Sequence, residues 1–178
     1  MPEAEAEILT VGHSTHPLGE FVDLLQGAGA TAVVDVRSLP GSNRHPQFNA
    51  ESLAAGLSEH GIVYRRIAAL GGRRNLQRAI DPEVNGFWQN RSFHNYADYA
   101  LSEEFDGGLA ELLEIAREAR PAIMCSEAVW WRCHRRIIAD HLLARGTDVR
   151  HLMPGGRVAP AELTRGAVAS GGTVEYPG

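Results

Sequence analysis

The 178-residue chain contains no lysine, so all 17 of its basic residues are arginine. They are outnumbered by 22 acidic residues, and the net charge of −5 excludes a protein that binds nucleic acid over its whole surface. Cysteine is almost as scarce, with Cys125 and Cys133 the only two. Two thiols eight positions apart do not make the disulfide framework of a small secreted domain, so they are read as reduced, which places the protein in the cytoplasm. No apolar run approaches the roughly 18 residues a membrane span requires, so no membrane partner is expected. The acidic start, Met1 to Glu7, has neither the basic nor the apolar region of a signal peptide. Also missing are a Gly-rich dinucleotide fingerprint, a Walker loop and a CxxC pair, and nothing in the sequence names a cofactor.

What is present reads as one ordinary globular unit, with 44% hydrophobic and 22% charged residues and no internal repeat. Ile8 to Gly12 is a short apolar strand. Ser14 or Thr15 can cap a helix from Pro17 to about Gln26, where Leu18, Phe21, Val22 and Leu25 share one face. Thr31 to Val36 is a β-branched run, the pattern of a strand buried on both faces. A loop from Ser38 to Asn49, a helix from Glu51 to His60 and a strand from Ile62 to Ile67 follow. Residues 70–94 are irregular, and loops this long in compact domains tend to be functional or disordered. Helices are expected at Tyr96 to Leu101, Glu104 to Ala119 and Arg132 to Arg145, and strands at Ala122 to Cys125 and Val149 to Met153. The division predicted is an α/β domain over 1–153 and a Gly/Pro-rich, partly mobile tail over 154–178, with a turn of helix near Glu162. Alternating strands and helices predict a single three-layer α/β domain, with a mainly parallel sheet of about five strands and helices on both faces.

In such sheets ligands bind beyond the carboxyl ends of the strands. Here those ends carry His13 and Ser14, Asp35 and Arg37, Tyr64 and Arg65, and Cys125 and Glu127. Four strand ends with polar or reactive groups predict a shared site. Cys133-His134-Arg135 opens a helix, where free N–H groups and neighbouring cations favour a thiolate. Cys133 or Cys125 is therefore the candidate nucleophile, with His134 or His13 as base. Against this stands the commoner fate of cysteine as a small buried apolar residue. Glu127 and Asp35 are candidates to orient the reacting groups, although Asp35 can equally pair with Arg37 or cap the loop. Ser14, Arg37, Tyr64, Gly71, Gly72 and Arg135 are candidate substrate contacts. Arginine matches phosphate and carboxylate geometry, and N–H groups around Gly12-His13-Ser14 can hold an anion.

Several of these residues resemble, in order, the pattern of the domain of unknown function family 488. They are Thr10-Val11-Gly12-His13-Ser14, Val34-Asp35-Val36-Arg37 with Pro40 and Ser42, Phe48-Asn49, Gly61-Ile62 with Tyr64, Leu70-Gly71-Gly72, Cys125-Ser126-Glu127, Cys133-His134-Arg135, and Gly146 with Val149 and His151. The resemblance spans about Ile8 to Met153. It implies no particular reaction. More distantly, the layout is similar to that of rhodanese-like domains, with a cysteine after a late strand and a helix behind it.

The leading expectation is a small thiol-dependent transferase or hydrolase acting on an anionic, nucleotide or nucleic-acid-derived substrate. A second is a non-catalytic module gripping single-stranded nucleic acid or a protein through the arginines of residues 70–94 and Phe87, Trp88 and Phe93. A third is a metal-dependent enzyme or metal sensor using Cys125, Cys133, His134 and Glu127. Its spacing is poor, since adjacent helical side chains such as Cys133 and His134 would diverge by about 100°.

Overall fold

The computed structural model describes residues 6–41 and 45–178. Ser42, one of the residues carrying the family resemblance, and Met1 to Glu5 lie outside the described residues. The chain runs β1 (Glu7–Gly12), α1 (Leu18–Gly27), β2 (Ala32–Asp35), α2 (Ala50–Ser58), β3 (Val63–Arg66), α3 (Arg91–Tyr99), α4 (Glu103–Glu118), β4 (Pro121–Cys125), α5 (Arg135–Ala144), β5 (Asp148–Leu152), β6 (Val158–Pro160), β7 (Val168–Ser170) and β8 (Thr173–Glu175). The first six strands form one sheet in the order β3-β2-β4-β1-β5-β6. Every pairing in it is parallel except β5 with β6. No helix among the described residues is long and apolar enough to cross a membrane.

Strand period dictates the layering, because successive side chains point to opposite faces. Leu9, Val11, Val33, Ala122 and Met124 pack beneath α1 and α2, with Phe21, Leu25, Leu53 and Leu57. Ile8, Val34, Ile123 and Val149 point the other way and pack with α3, α4 and α5 through Tyr96, Phe105, Leu109, Ile137 and Ile138. The sheet is thus covered on both faces, as the apolar runs of β1, β2 and β4 require.

The chain winds from β1 outward to β3 and then returns to place β4 between β2 and β1. From β4 it crosses β1 to form β5 on the far side. The reversal of winding leaves a crevice at the carboxyl ends of β1, β2 and β4, where such sheets bind ligands. Gly12 pairs with Cys125 there and Asp35 with Met124.

Several local expectations are corrected. Neither Ser14 nor Thr15 caps α1; Pro17 takes that position, with its carbonyl accepting from Phe21 N at 3.1 Å. Helix α3 starts at Arg91 rather than Tyr96, because the Asn90 side chain accepts the Phe93 amide at 3.2 Å and nucleates the extra turn. Helix α5 starts at Arg135, three residues later than expected, behind a 3-10 turn at Trp130–Arg132. After Met153 the chain adds β6 to the sheet edge and folds into the β7–β8 hairpin, and no helix forms near Glu162. Val174 and Tyr176 from this segment are fully buried in the core shared with α5.

Candidate functional site

A cavity of about 930 Å³ opens over the crevice at the strand ends. Its floor includes Cys125, Cys133, His13 and His134, and its walls include Arg37, Arg73, Arg132 and Glu127. Convergence of His13, Arg37, Cys125, Glu127, Cys133 and His134 on one pocket is what the strand-end reading expects.

Strand β4 carries Cys125 to the pocket, and its two neighbours hold it in register. The His13 amide donates to Cys125 O at 2.9 Å, Ser14 N to Ser126 O at 3.0 Å, and Val36 N to Met124 O at 3.0 Å. The amides of His13 and Ser14 are therefore spent on extending the ladder, not on an anion as the sequence suggests. Gly12 makes this close approach possible. A Cβ there would sit 1.6 Å from Glu127 O and 2.9 Å from Ala128 Cα, both backbone atoms that cannot give way.

Cys133 lies in extended conformation just ahead of α5 (φ −135°, ψ 154°), and its Sγ accepts the Arg135 amide at 3.4 Å. The same break in the helix turns His134 back toward it, so Cys133 Sγ and His134 Nδ1 are 3.4 Å apart. The 100° divergence expected of helical neighbours does not arise, because neither residue is inside the helix. His134 Nε2 donates to the Val36 carbonyl at 2.7 Å, which fixes the tautomer and leaves Nδ1 as the acceptor facing the thiol. Gly72 packs on the other side of this ring, where a Cβ would lie 2.9 Å from Nδ1.

Arg135 lies beneath both thiols, only 1% exposed. Its Nε donates to Cys125 Sγ at 3.1 Å, Nη1 to Thr10 Oγ1 at 3.3 Å and Nη2 to Glu127 O at 2.8 Å. Among the described residues no carboxylate pairs with it. Burial works against its charge, but the two thiols more than offset this and raise Arg135 above its ordinary value. Arg135, expected as a substrate contact, does not line the cavity; its contacts are to the thiols beside it.

The two thiols are driven apart in acidity. Burial raises Cys133, but the hydrogen bond from Cys125 and the charge and amide of Arg135 outweigh it and bring Cys133 down to about 7. Burial and the neighbouring Cys133 push Cys125 well above its ordinary range. One negative charge, centred on Cys133 and shared through the Cys125 S–H, is thus the counter-ion of a buried guanidinium. Burial also lowers His134, so its ring stays neutral and available as an acceptor.

Asp35 is fully buried and holds Arg37 in a fork, accepting from Nε at 2.9 Å and from Nη2 at 2.7 Å, with the Arg37 amide at 3.0 Å. Tyr64 OH donates to the same carboxylate at 2.5 Å. Asp35 and Tyr64 thus position Arg37 and do not line the cavity, and Arg37 Nη1 reaches His13 Nε2 at 3.4 Å. His13 stacks on Phe48 at 4.3 Å, and its Nδ1 donates to Ser14 O at 2.9 Å. Burial lowers it to about 4, so it is neutral at pH 7. Ser14 and Gly72 line the cavity; Gly71 does not, and its carbonyl accepts from Arg74 Nε at 3.0 Å. The Glu127 carbonyl accepts from Arg135 Nη2 at 2.8 Å and from Cys125 Sγ at 3.9 Å, and the residue itself is exposed.

Arg73 and Arg132 also line the walls; Arg73 belongs to the arginine-rich stretch of residues 70–94, but neither is among the expected substrate contacts. Of the aromatic residues expected to stack bases, Trp88 is 8% exposed and stacks on Phe93 at 5.0 Å, and Phe93 itself lines the cavity. No group of three or more His, Cys, Asp or Glu among the described residues is placed to hold a metal ion.

Residues 17–142 match the family described as domain of unknown function DUF488. No curated protein and no solved structure matches the chain.

Proposed function

The chain belongs to the DUF488 family, and from that premise we propose that it is a thiol-dependent enzyme acting on a small anionic substrate, with Cys133 as nucleophile. The observation that carries this reading is the buried guanidinium of Arg135, which pairs with no carboxylate among the described residues and sits against the two thiols. A buried charge with no counter-ion costs several kcal/mol, roughly, so the pair of thiols is most stable when it carries one negative charge. That charge sits at the base of an open cavity, where a substrate can reach it.

The roles follow from the contacts. Cys133 attacks the electrophilic centre of the substrate. His134 Nδ1 takes up any proton still held by Cys133, and Val36 O keeps the ring turned toward it. Arg37, held rigid by Asp35, grips the anion together with Arg73 and Arg132. Neutral His13 beside Arg37 serves as the second proton acceptor. The cavity has room for a substrate the size of a nucleotide. Reduced cysteines at its base fit a cytoplasmic protein. The binding-module reading is weaker, because of the aromatic residues it needs Trp88 is buried and Phe87 lies away from the cavity, which leaves Phe93 alone at the wall.

Alkylation by iodoacetamide as a function of pH tests the reading. Cys133 should react with a midpoint near pH 7, and adenosine monophosphate or inorganic phosphate should slow it. Arg37→Ala should remove that protection without removing the reactivity. A folded protein in which neither thiol reacts, or in which Cys133 reacts only as an ordinary thiol with a midpoint near 9.0, would falsify it.

A further inference from the structure

The two cysteines are the only ones in the chain, yet separate parts of the fold bring both to Arg135, Cys133 Sγ to its amide and Cys125 Sγ to its guanidinium. Cys125 comes from the end of β4 and Cys133 from the turn before α5. Both line the cavity. A single-nucleophile mechanism leaves Cys125 without a task. We propose that the site reacts with the sulfur–sulfur bond of a small anionic disulfide, with Cys133 as attacking thiol and Cys125 as resolving thiol. This rests on the reading of Cys133 as nucleophile and adds the substrate class and the second step.

The attacking thiol in an exchange works best when its acidity is close to the ambient pH, and Cys133 meets that condition. In the first step the Cys133 thiolate attacks one sulfur of the disulfide RSSR. A Cys133–SR bond forms, the RS–SR bond breaks, and one RS⁻ leaves. The negative charge that balanced Arg135 has then gone. Arg135 Nε still lies 3.1 Å from Cys125 Sγ, so the buried guanidinium now draws the proton off Cys125. The proton leaves with one of the two small thiols. The Cys125 thiolate attacks Cys133 Sγ, the protein disulfide forms, and the second thiol departs. Overall the protein loses two electrons and the small disulfide gains them, giving one RS⁻ and one RSH. The acidity order of the resting pair, with Cys133 low and Cys125 high, is the order this sequence needs. It also keeps Cys125 from attacking first.

Arg37, Arg73 and Arg132 at the walls fit a disulfide bearing carboxylates better than a neutral one. Oxidised glutathione is therefore the probe, and hydroxyethyl disulfide its uncharged control. With the full chain, oxidised glutathione should consume both thiols with no adduct left in the intact mass, and dithiothreitol should restore them. Cys125→Ser should instead accumulate one glutathione adduct, on Cys133. Oxidised glutathione should react about tenfold faster than the uncharged control at low salt, and the difference should shrink as salt is added. If the wild type stops at the Cys133 adduct, Cys125 is not a resolving thiol, although Cys133 remains the nucleophile. If neither thiol reacts in the folded protein but both react once it is unfolded, the nucleophile reading falls as well. Equal rates with the two disulfides would remove the anionic part of the proposal.

Discussion

At the scale of single residues, the site depends on one charge. Arg135 contributes no atom to the cavity wall, but it decides which protonation state the thiols below the cavity adopt. Replacing it by methionine, which keeps the length and loses the charge, should therefore act on Cys133. Burial is then no longer opposed by the guanidinium, so the pH midpoint of Cys133 alkylation should move upward from about 7. Stability should respond as well. A thiol whose acidity is increased by folding adds stability that is complete above pH 9.0 and is lost as pH falls through about 7. Cys125 shifts the other way, so its contribution is present below pH 9.0 and is lost above it. The wild-type melting temperature should thus gain a rising component between pH 7 and 9, and Arg135→Met should lack it. A variant that keeps both the alkylation midpoint and the slope would show that Arg135 only fills space.

At the scale of elements, the closing segment is tied to α5 and α3 by buried polar bonds. Tyr176 OH donates to Asp140 Oδ2 at 2.6 Å, Thr164 N to Asp140 Oδ1 at 2.9 Å, and Tyr176 N to Asn85 Oδ1 at 2.9 Å. Asn85 Nδ2 in turn donates to Asp98 Oδ1 at 2.7 Å. Tyr176→Phe keeps the ring and strands one carboxylate oxygen, so it should cost about 1–3 kcal/mol in a denaturant titration. A cost below about 0.5 kcal/mol would mean the oxygen finds another partner. None of this was legible from residues 154–178, because short strands and polar ties among Gly- and Pro-rich segments leave no periodicity to read. The main strands were legible, since β-branched and apolar runs such as Val33-Val34 in β2 have few other fates. Helix starts were less so: α5 continues an apolar stripe back to Arg132, and only tertiary contacts stop it at Arg135. That misplacement hid the most informative feature of the site, the return of His134 toward Cys133. Which residues reach the strand ends could be read from the sequence. Which of them support others, as Asp35 and Arg135 do, could not, because that depends on side-chain partners far apart in the chain.

At the scale of the whole molecule, folding leaves a set of histidines neutral and enclosed. Burial lowers His13 and His141 to about 4 and His151 to about 3. Nearby guanidinium groups add to this, Arg37 for His13, Arg145 for His141 and Arg135 for His151. His151 Nδ1 bonds to Thr10 Oγ1 at 2.7 Å, whereas neither ring nitrogen of His141 has a partner among the described residues. Each of these groups binds a proton more readily once the chain unfolds. The stability they supply is present above the ordinary value of 6.5 and is lost as pH falls through about 4. Near pH 5 unfolding should therefore take up close to three protons from these side chains, about 1.4 kcal/mol per pH unit for each. Asp140 opposes this at the acid end, because burial raises its carboxyl and the folded state then holds that proton. From pH 6.5 downward denaturant midpoints should fall as these histidines take up protons on unfolding. His141→Leu should reduce the slope by about one third of what His13, His141 and His151 together contribute. It should also leave stability at pH 7 equal or higher, because it removes two unpaired buried nitrogens, each costing about 1–3 kcal/mol. A slope unchanged by His141→Leu would mean that this ring is already protonated, or already hydrated, in the folded protein.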